Sequence, residues 1–188
     1  VLTASDPLPH RPRRVVVAGV SGSGKTTLAA RISAVTGGPH TEIDALFHGA
    51  GWVPRPEFLD DVHAMIATES WTTEWQYNTA RPLLADSADL MVWVDPPFWR
   101  VTLPRVIRRT LRRRMLRQRL WNGNIEPALH TIFTDPEHIV RWSFTTRHKY
   151  TERIPALDAA NGRLVIVQLR SQGEIERWLA GPLAAACR

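Results

Sequence analysis

Apolar and polar positions follow one another along this chain in two rhythms: short β-branched runs, and longer stretches at helical spacing. Arg14 to Ala18 (RVVVA) is the continuous apolar run of a strand buried on both faces of a parallel sheet. A helix is predicted from Lys25 to about Val35, with Leu28 and Ile32 on one face and Gly37-Gly38-Pro39 as its stop. His40 to Ile43 reads as a second short strand, finishing at Asp44. After a Gly/Pro-rich loop, Gly49 to Pro56, the spacing of Phe58, Val62, Met65 and Ile66 predicts a helix from about Glu57 to Thr68. Trp71 to Trp75, Leu90 to Val94 (LMVWV) and Arg163 to Leu169 (RLVIVQL) are the third, fourth and fifth strands.

Between the fourth and fifth strands comes a helix with Leu103, Ile107, Leu111 and Met115 as its apolar stripe. A loop or short-helix region, Asn122 to Pro136, and a helix from His138 to about Ile154 follow it. Ser171-Gln172-Gly173-Glu174 forms a capping box that opens the last helix, through Ile175, Trp178 and Leu179. Strands alternating with helices imply a parallel, doubly wound α/β sheet with ligands at the carboxyl ends of its strands. The expectation is a single domain over residues 14–188, preceded by a Pro-rich, disordered segment at 1–13.

Composition narrows the class. The chain is 44% hydrophobic and 22% charged, as soluble globular domains are. Its one cysteine, Cys187, excludes a disulfide framework and a Cys-rich metal site. No apolar run approaches the roughly 20 residues that span a bilayer. Pro7, Pro9 and Pro12 interrupt the N-terminal segment, unlike a secretion signal. A cytoplasmic protein without membrane contact is expected. The net charge of +6 is local: Phe98 to Trp121 holds nine arginines and no Asp or Glu, which leaves −3 on the rest of the chain. Only two lysines occur, Lys25 and Lys149, against 22 arginines.

One of those lysines stands in a motif. Gly19-Val20-Ser21-Gly22-Ser23-Gly24-Lys25-Thr26 satisfies the Walker A pattern, with a strand before it and a helix after it. Glycines let the backbone curl until successive N–H groups point at phosphate oxygens, and the helix adds its positive end. Gly19, Ser21, Gly22, Ser23, Gly24, Lys25, Thr26 and Thr27 are therefore the expected ATP-binding residues. Lys25 is expected on the β- and γ-phosphates and the Thr26 hydroxyl on Mg²⁺. No Asn-Lys-x-Asp guanine-reading motif occurs, which counts against a GTPase.

Beyond the loop, the chain resembles the adenylate-kinase-like small P-loop kinases, in the branch labelled topology modulation protein or adenylate-kinase-related. The resemblance runs from Val15 to about Ile154, with a further match at Leu169 to Leu179. Besides the loop it rests on Ile43-Asp44-Ala45-Leu46-Phe47, Gly51-Trp52-Val53-Pro54, Trp71-Thr72-Thr73-Glu74 with Tyr77, Asp95-Pro96-Pro97, Arg105 to Arg109 and Leu169-Arg170-Ser171. It implies a three-layer α/β/α P-loop NTPase fold with a five-stranded parallel sheet and an Arg-rich helical lid at about 98–154. It also implies transfer of the ATP γ-phosphate to a small acceptor: a nucleotide, a nucleoside or another metabolite. Asp44 would face the acceptor, Glu74 would hold a Mg²⁺-bound water, Arg105 and Arg109 would be lid arginines, and Arg170 would begin the turn against the adenine. Relatives typically carry Asp-Gly-Asn-Tyr where this chain has Glu74-Trp75-Gln76-Tyr77, so the pocket wall differs.

The surplus arginines keep two other readings open: nucleotide-dependent binding of nucleic acid through the Arg-rich helix, and a kinase acting on a macromolecule or an antibiotic. Phe47, Trp52, Phe58, Trp75 and Tyr77 are expected around the acceptor pocket. The histidines show no metal spacing.

Overall fold

The runs Val15 to Ala18 and Leu90 to Val94 pair in a parallel sheet, and each is apolar at both odd and even positions and so can be covered on both faces. The computed structural model describes residues 1–116, 118–124 and 139–188. Its strands are β1 (Arg14–Ala18), β2 (Trp71–Glu74), β3 (Leu90–Val94) and β4 (Val165–Leu169), in the order β2-β1-β3-β4. Register places Val17 beside Glu74, Ala18 beside Trp93 and Val94 beside Leu169. The described helices are α1 (Lys25–Thr36), α2 (Ile43–Phe47), α3 (Phe58–Ile66), α4 (Ala80–Ser87), α5 (Leu103–Met115), α6 (Ile139–Thr145), α7 (Lys149–Ala160), α8 (Gln172–Trp178) and α9 (Ala184–Cys187).

Alternation along the strands divides the core in two. Val16, Ala18, Met91, Trp93 and Ile166 face Ile43, Phe58, Val62, Leu84, Tyr150 and Ile154, from α2, α3, α4 and α7. Val15, Val17, Val92, Val94 and Leu169 face Leu28, Ile32, Ile175, Trp178 and Leu183, from α1 and the C-terminal helices. From β1 the chain passes to β2 on one side, and from β2 it crosses back to β3 on the other side of β1. The carboxyl ends of β1 and β3 thus border the crevice where open α/β sheets bind ligands.

Among the described residues the sheet has four strands, not the five expected. His40 makes a single bridge to Thr72, with Thr41 N–H donating to Thr72 O at 3.0 Å. The chain then coils into α2, which buries Ile43 completely. Asp44 therefore sits in the first turn of a helix rather than at a strand end.

The N-terminal segment also departs from expectation. Leu2 N–H donates to Ile166 O, Gln168 N–H donates to Leu2 O, and Ala4 is buried. The reason is apolar: Leu2 and Leu8 pack on the cluster around β4, so this stretch is held against the sheet edge. The helix predicted from His138 divides into α6 and α7 at 146–148. His138 itself and most of the predicted Asn122–Pro136 region, residues 125–136, lie outside the described residues.

In α5 the buried side chains are Val106 and Thr110, whereas the four-residue stripe faces outward. Ile107 is 41% exposed, Leu111 40% and Met115 78%. Trp178→Ala, which empties a completely buried site, is expected to lower the unfolding free energy by about 3–5 kcal/mol in urea melts. Met115→Ala is expected to change it by less than about 0.5 kcal/mol. Equal losses in the two variants would place the stripe inside the core.

Candidate functional site

Between the last residue of β1 and the first of α1, Gly19 to Gly24 fold into a loop that glycine alone permits at two points. Gly22 has φ +81° and Gly24 φ +98°, left-handed values that side chains resist. A Cβ on Gly22 would stand 2.4 Å from Val106 Cγ2 and 2.9 Å from Thr102 O, so the loop lies directly on the start of α5. On its other side, a Cβ on Gly19 would meet Ser23 Oγ at 2.5 Å and Val94 O at 2.9 Å. No side chain caps α1 and its first turn holds no acid. Its first N–H groups and positive end are left for an anion. Ser23 Oγ is buried with no hydrogen-bond partner among the described residues.

Glu74 and Thr26, expected together at a metal, do come together. Glu74 ends β2 next to β1 and is 2% exposed. Its Oε2 accepts from Ile43 N–H at 3.0 Å, its Oε1 lies 3.4 Å from His40 Nε2, and the Thr26 hydroxyl also bonds to it. Burial pushes this carboxyl up, but the hydrogen bonds from His40, Ile43 and Thr26 outweigh it and hold the group below its ordinary value. Burial pushes Lys25 down, Asp44 and Glu74 pull it back up, and Arg109 and Arg81 lower it further.

Asp44 lies across from Lys25 on α2. Its Oδ1 accepts from Gln76 Nε2 and from Tyr77 Oη, each at 2.6 Å. Tyr77 Oη is also 3.2 Å from His48 Nε2. Burial and the neighbouring Asp44 charge push the Tyr77 phenol far up, so it stays a donor. His48 is pushed down, first by burial, against the pull of Asp44.

Around this carboxylate stand the expected aromatic residues. Phe47 stacks on Tyr77 at 3.8 Å, Phe58 meets both rings edge-on, and His48 meets Trp52 and Trp121. The segment after α5 bonds to the same wall. Trp121 Nε1 donates to Glu42, Asn124 Nδ2 donates to Gly49 O, and Trp52 N–H donates to Asn124 Oδ1. Trp52, Tyr77 and Asn122 have φ of +63°, +58° and +54°, so among the described residues the non-glycine left-handed ones all border this wall. Trp75 is instead buried in the core, its Nε1 bonded to Arg81 O.

Of the predicted arginines, Arg105 reaches the loop: its Nη1 is 3.8 Å from where a Cβ on Gly24 would stand. Arg109, one turn on, acts on the charge of Lys25. Arg170 is exposed beyond β4, its guanidinium on Gln168 Oε1 and its N–H on Glu174 Oε2. Gln168 also donates to Asp95. The capping box forms as expected, with Ser171 Oγ accepting from Glu174 N–H. Missing from the sequence reading were His40, Gln76, Arg81 and Lys149. For Lys149 a signal existed, since the scarcity of lysine that marks Lys25 marks Lys149 equally.

Burial and the charges of Arg81, Arg153 and Lys25 push Lys149 down to about 8. With two lysines in the chain, acylation followed by peptide mass spectrometry reads each one separately. Only the neutral amine reacts, so Lys149 is expected to reach half its maximal rate near pH 8. An ordinary lysine does so at about 10.4. A midpoint there for Lys149 would remove the cationic cluster from the account.

The chain matches a gluconokinase from Sinorhizobium meliloti 1021 at a TM-score of 0.54 and 20% identity, over 94% of this chain and 95% of that one. A sugar kinase from Janibacter sp. HTCC2649, in an unliganded structure, matches at a TM-score of 0.43 and 22% identity, over 92% and 97%. No protein-family model matches the sequence, and no curated protein is significantly similar to it. The likeness is one of fold: an α/β architecture with a parallel sheet, as in P-loop kinase structures.

Proposed function

We propose that this chain is an ATP-dependent phosphotransferase that moves the γ-phosphate onto a hydroxyl of a small acceptor. One observation carries the reading: an uncapped, glycine-lined loop leads into Lys25, which lies within electrostatic range of Asp44 and Glu74, while Arg105 and Arg109 approach from α5. In this reading residues 14–188 are one kinase-like unit, with 98–154 as its lid. Gly19, Ser21, Gly22, Ser23, Gly24, Lys25, Thr26 and Thr27 bind the triphosphate, and the adenine rests against the turn that begins at Arg170.

Thr26 and Glu74 fit Mg²⁺, being a hydrogen-bonded pair of oxygen donors for a cation that keeps several waters. Among the described residues no group of three or more His, Cys, Asp or Glu gathers, and a site completed by phosphate oxygens and water needs none. Bound there, Mg²⁺ neutralises charge on the β- and γ-phosphate oxygens.

The remaining work falls to the side chains. Lys25, Arg105 and Arg109 offset the negative charge of the transferring group. Asp44 accepts the acceptor's hydroxyl proton at Oδ2, because Gln76 and Tyr77 both hold Oδ1 and so fix the carboxylate's orientation. Glu74, by contrast, is buried beneath the site with its oxygens engaged, so the acceptor lies on the Asp44 side rather than between the two carboxylates. The contacts of Trp121 and Asn124 with the 42–52 segment close the acceptor side and exclude water, which favours transfer over hydrolysis.

Lys25→Ala is expected to cut ADP release from MgATP, with a mixed pool of hydroxylated metabolites as acceptors, by at least about 10²-fold at an unchanged melting temperature. Full ADP release by this variant would take the loop out of the chemistry. Arg105→Ala and Arg109→Ala are expected to lower kcat by about tenfold or more and to change the KM for ATP much less, since their charges matter most as the phosphoryl group leaves. The reverse split, a raised KM at constant kcat, would make them ground-state binders only.

A further inference from the structure

Arg81 is an unusual residue to find in the wall of a core. It is 6% exposed, one helical turn after Tyr77, to whose carbonyl its N–H donates at 3.0 Å. Its guanidinium lies over the rings of Trp75 and Tyr150, at 5.6 and 5.8 Å from their centroids. Trp75 Nε1 bonds to Arg81 O and Tyr150 Oη to Trp75 O, so the two rings are themselves fixed. Arg81 Nη1 donates to Asn78 Oδ1 at 2.8 Å, and Nε is buried with no hydrogen-bond partner among the described residues.

A second guanidinium comes to the same amide. Arg153 Nη1 lies 3.5 Å from Asn78 Oδ1, so one neutral oxygen draws two cations together. Among the described residues, neither arginine has a carboxylate within ion-pair distance. Lys149, at the start of α7 next to Tyr150, adds a third cation. Like charges gathered in a partly dry wall repel one another, and an anion placed among them would relieve that repulsion. The aromatic sandwich explains how Arg81 tolerates burial. It does not explain Arg153, which is exposed and free to point into water.

The position is as informative as the charge. Arg81 and Lys25 act on each other electrostatically, and Asp44 acts on Tyr150, so the cluster borders both the phosphate loop and the proposed acceptor carboxylate. Asn78 follows Gln76 and Tyr77, the two residues that hold Asp44. We infer that Arg81, Arg153 and Asn78, with Lys149 beside them, form a subsite for an anionic group, carboxylate or phosphate, carried by the acceptor whose hydroxyl meets Asp44. The inference rests on the phosphotransferase reading and names its acceptor class: a small hydroxylated anion. A planar guanidinium fixed over two rings presents its donors as a rigid fork, the geometry that suits such oxyanions.

The test is equilibrium binding with the phosphate loop filled. The protein, saturated with a non-hydrolysable ATP analogue and Mg²⁺, is titrated calorimetrically with inorganic phosphate and, separately, with acetate. Saturable binding of at least one anion is expected, and the tighter of the two identifies the group. Arg81→Lys, which keeps the charge and loses the fork, and Arg153→Gln are each expected to weaken it by about tenfold. If Arg81→Lys does not fold, exposed Arg153→Gln decides alone. No saturable binding to the wild type, or variants that bind as the wild type does, overturns the subsite. Loss of the subsite with ADP release intact leaves phosphoryl transfer standing, whereas anion binding without ADP release removes phosphoryl transfer and keeps the subsite.

Discussion

The space that a methyl group on Gly22 would need is taken by Val106 and Thr102, and much of the site's geometry follows from that contact. It sets the loop after β1 directly against the start of α5. Arg105 thereby comes beside Gly24, and Arg109, a turn further, comes within electrostatic range of Lys25. Val106 and Thr110 are the side chains α5 buries, and the helix is seated by the loop it covers rather than by its longer apolar stripe. Binding geometry and helix packing are thus one constraint here.

The charge pattern follows from the same seating. Lys25, Arg105, Arg109, Arg81, Arg153 and Lys149 converge from four elements, while the nearby carboxylates are Asp44 and Glu74. Glu74 is already engaged by Ile43, His40 and Thr26. A site with this excess of cations is under electrostatic stress until anions arrive, which is how binding sites for phosphates are commonly built. Two of the nine arginines between Phe98 and Trp121, Arg105 and Arg109, come to the loop.

On the opposite side of Asp44 the wall is aromatic and its backbone is strained. Trp52 and Tyr77 hold left-handed φ values that neither side chain favours. Each is over-determined by its surroundings: Tyr77 by Phe47 stacking and the bond to Asp44, Trp52 by Asn124 and His48. Strain of this kind persists where packing enforces one geometry, and here it fixes the hydroxyl that orients Asp44.

Local chemistry made a good part of this legible before any coordinates. The Walker pattern required a curled loop between a strand and a helix, and Gly22 and Gly24 do adopt the backbone values only glycine takes easily. Strands β1 and β3, the Ser171 cap and the strand-end position of Glu74 were readable too, because each depends on neighbours in sequence. Long-range packing decided the rest. His40 to Ile43 has strand-like composition, yet the edge of β2 offers it one bridge and the core takes Ile43 from a helix. The outward stripe of α5 has a core-like period, but the loop at Gly22 claims the other face. Arg81, Arg153 and Lys149 lie far apart along the chain and carry no shared motif. The fold brings them together around Asn78 and Tyr150, because electrostatic proximity depends on distance in space and periodicity reports only neighbours along one helix or strand.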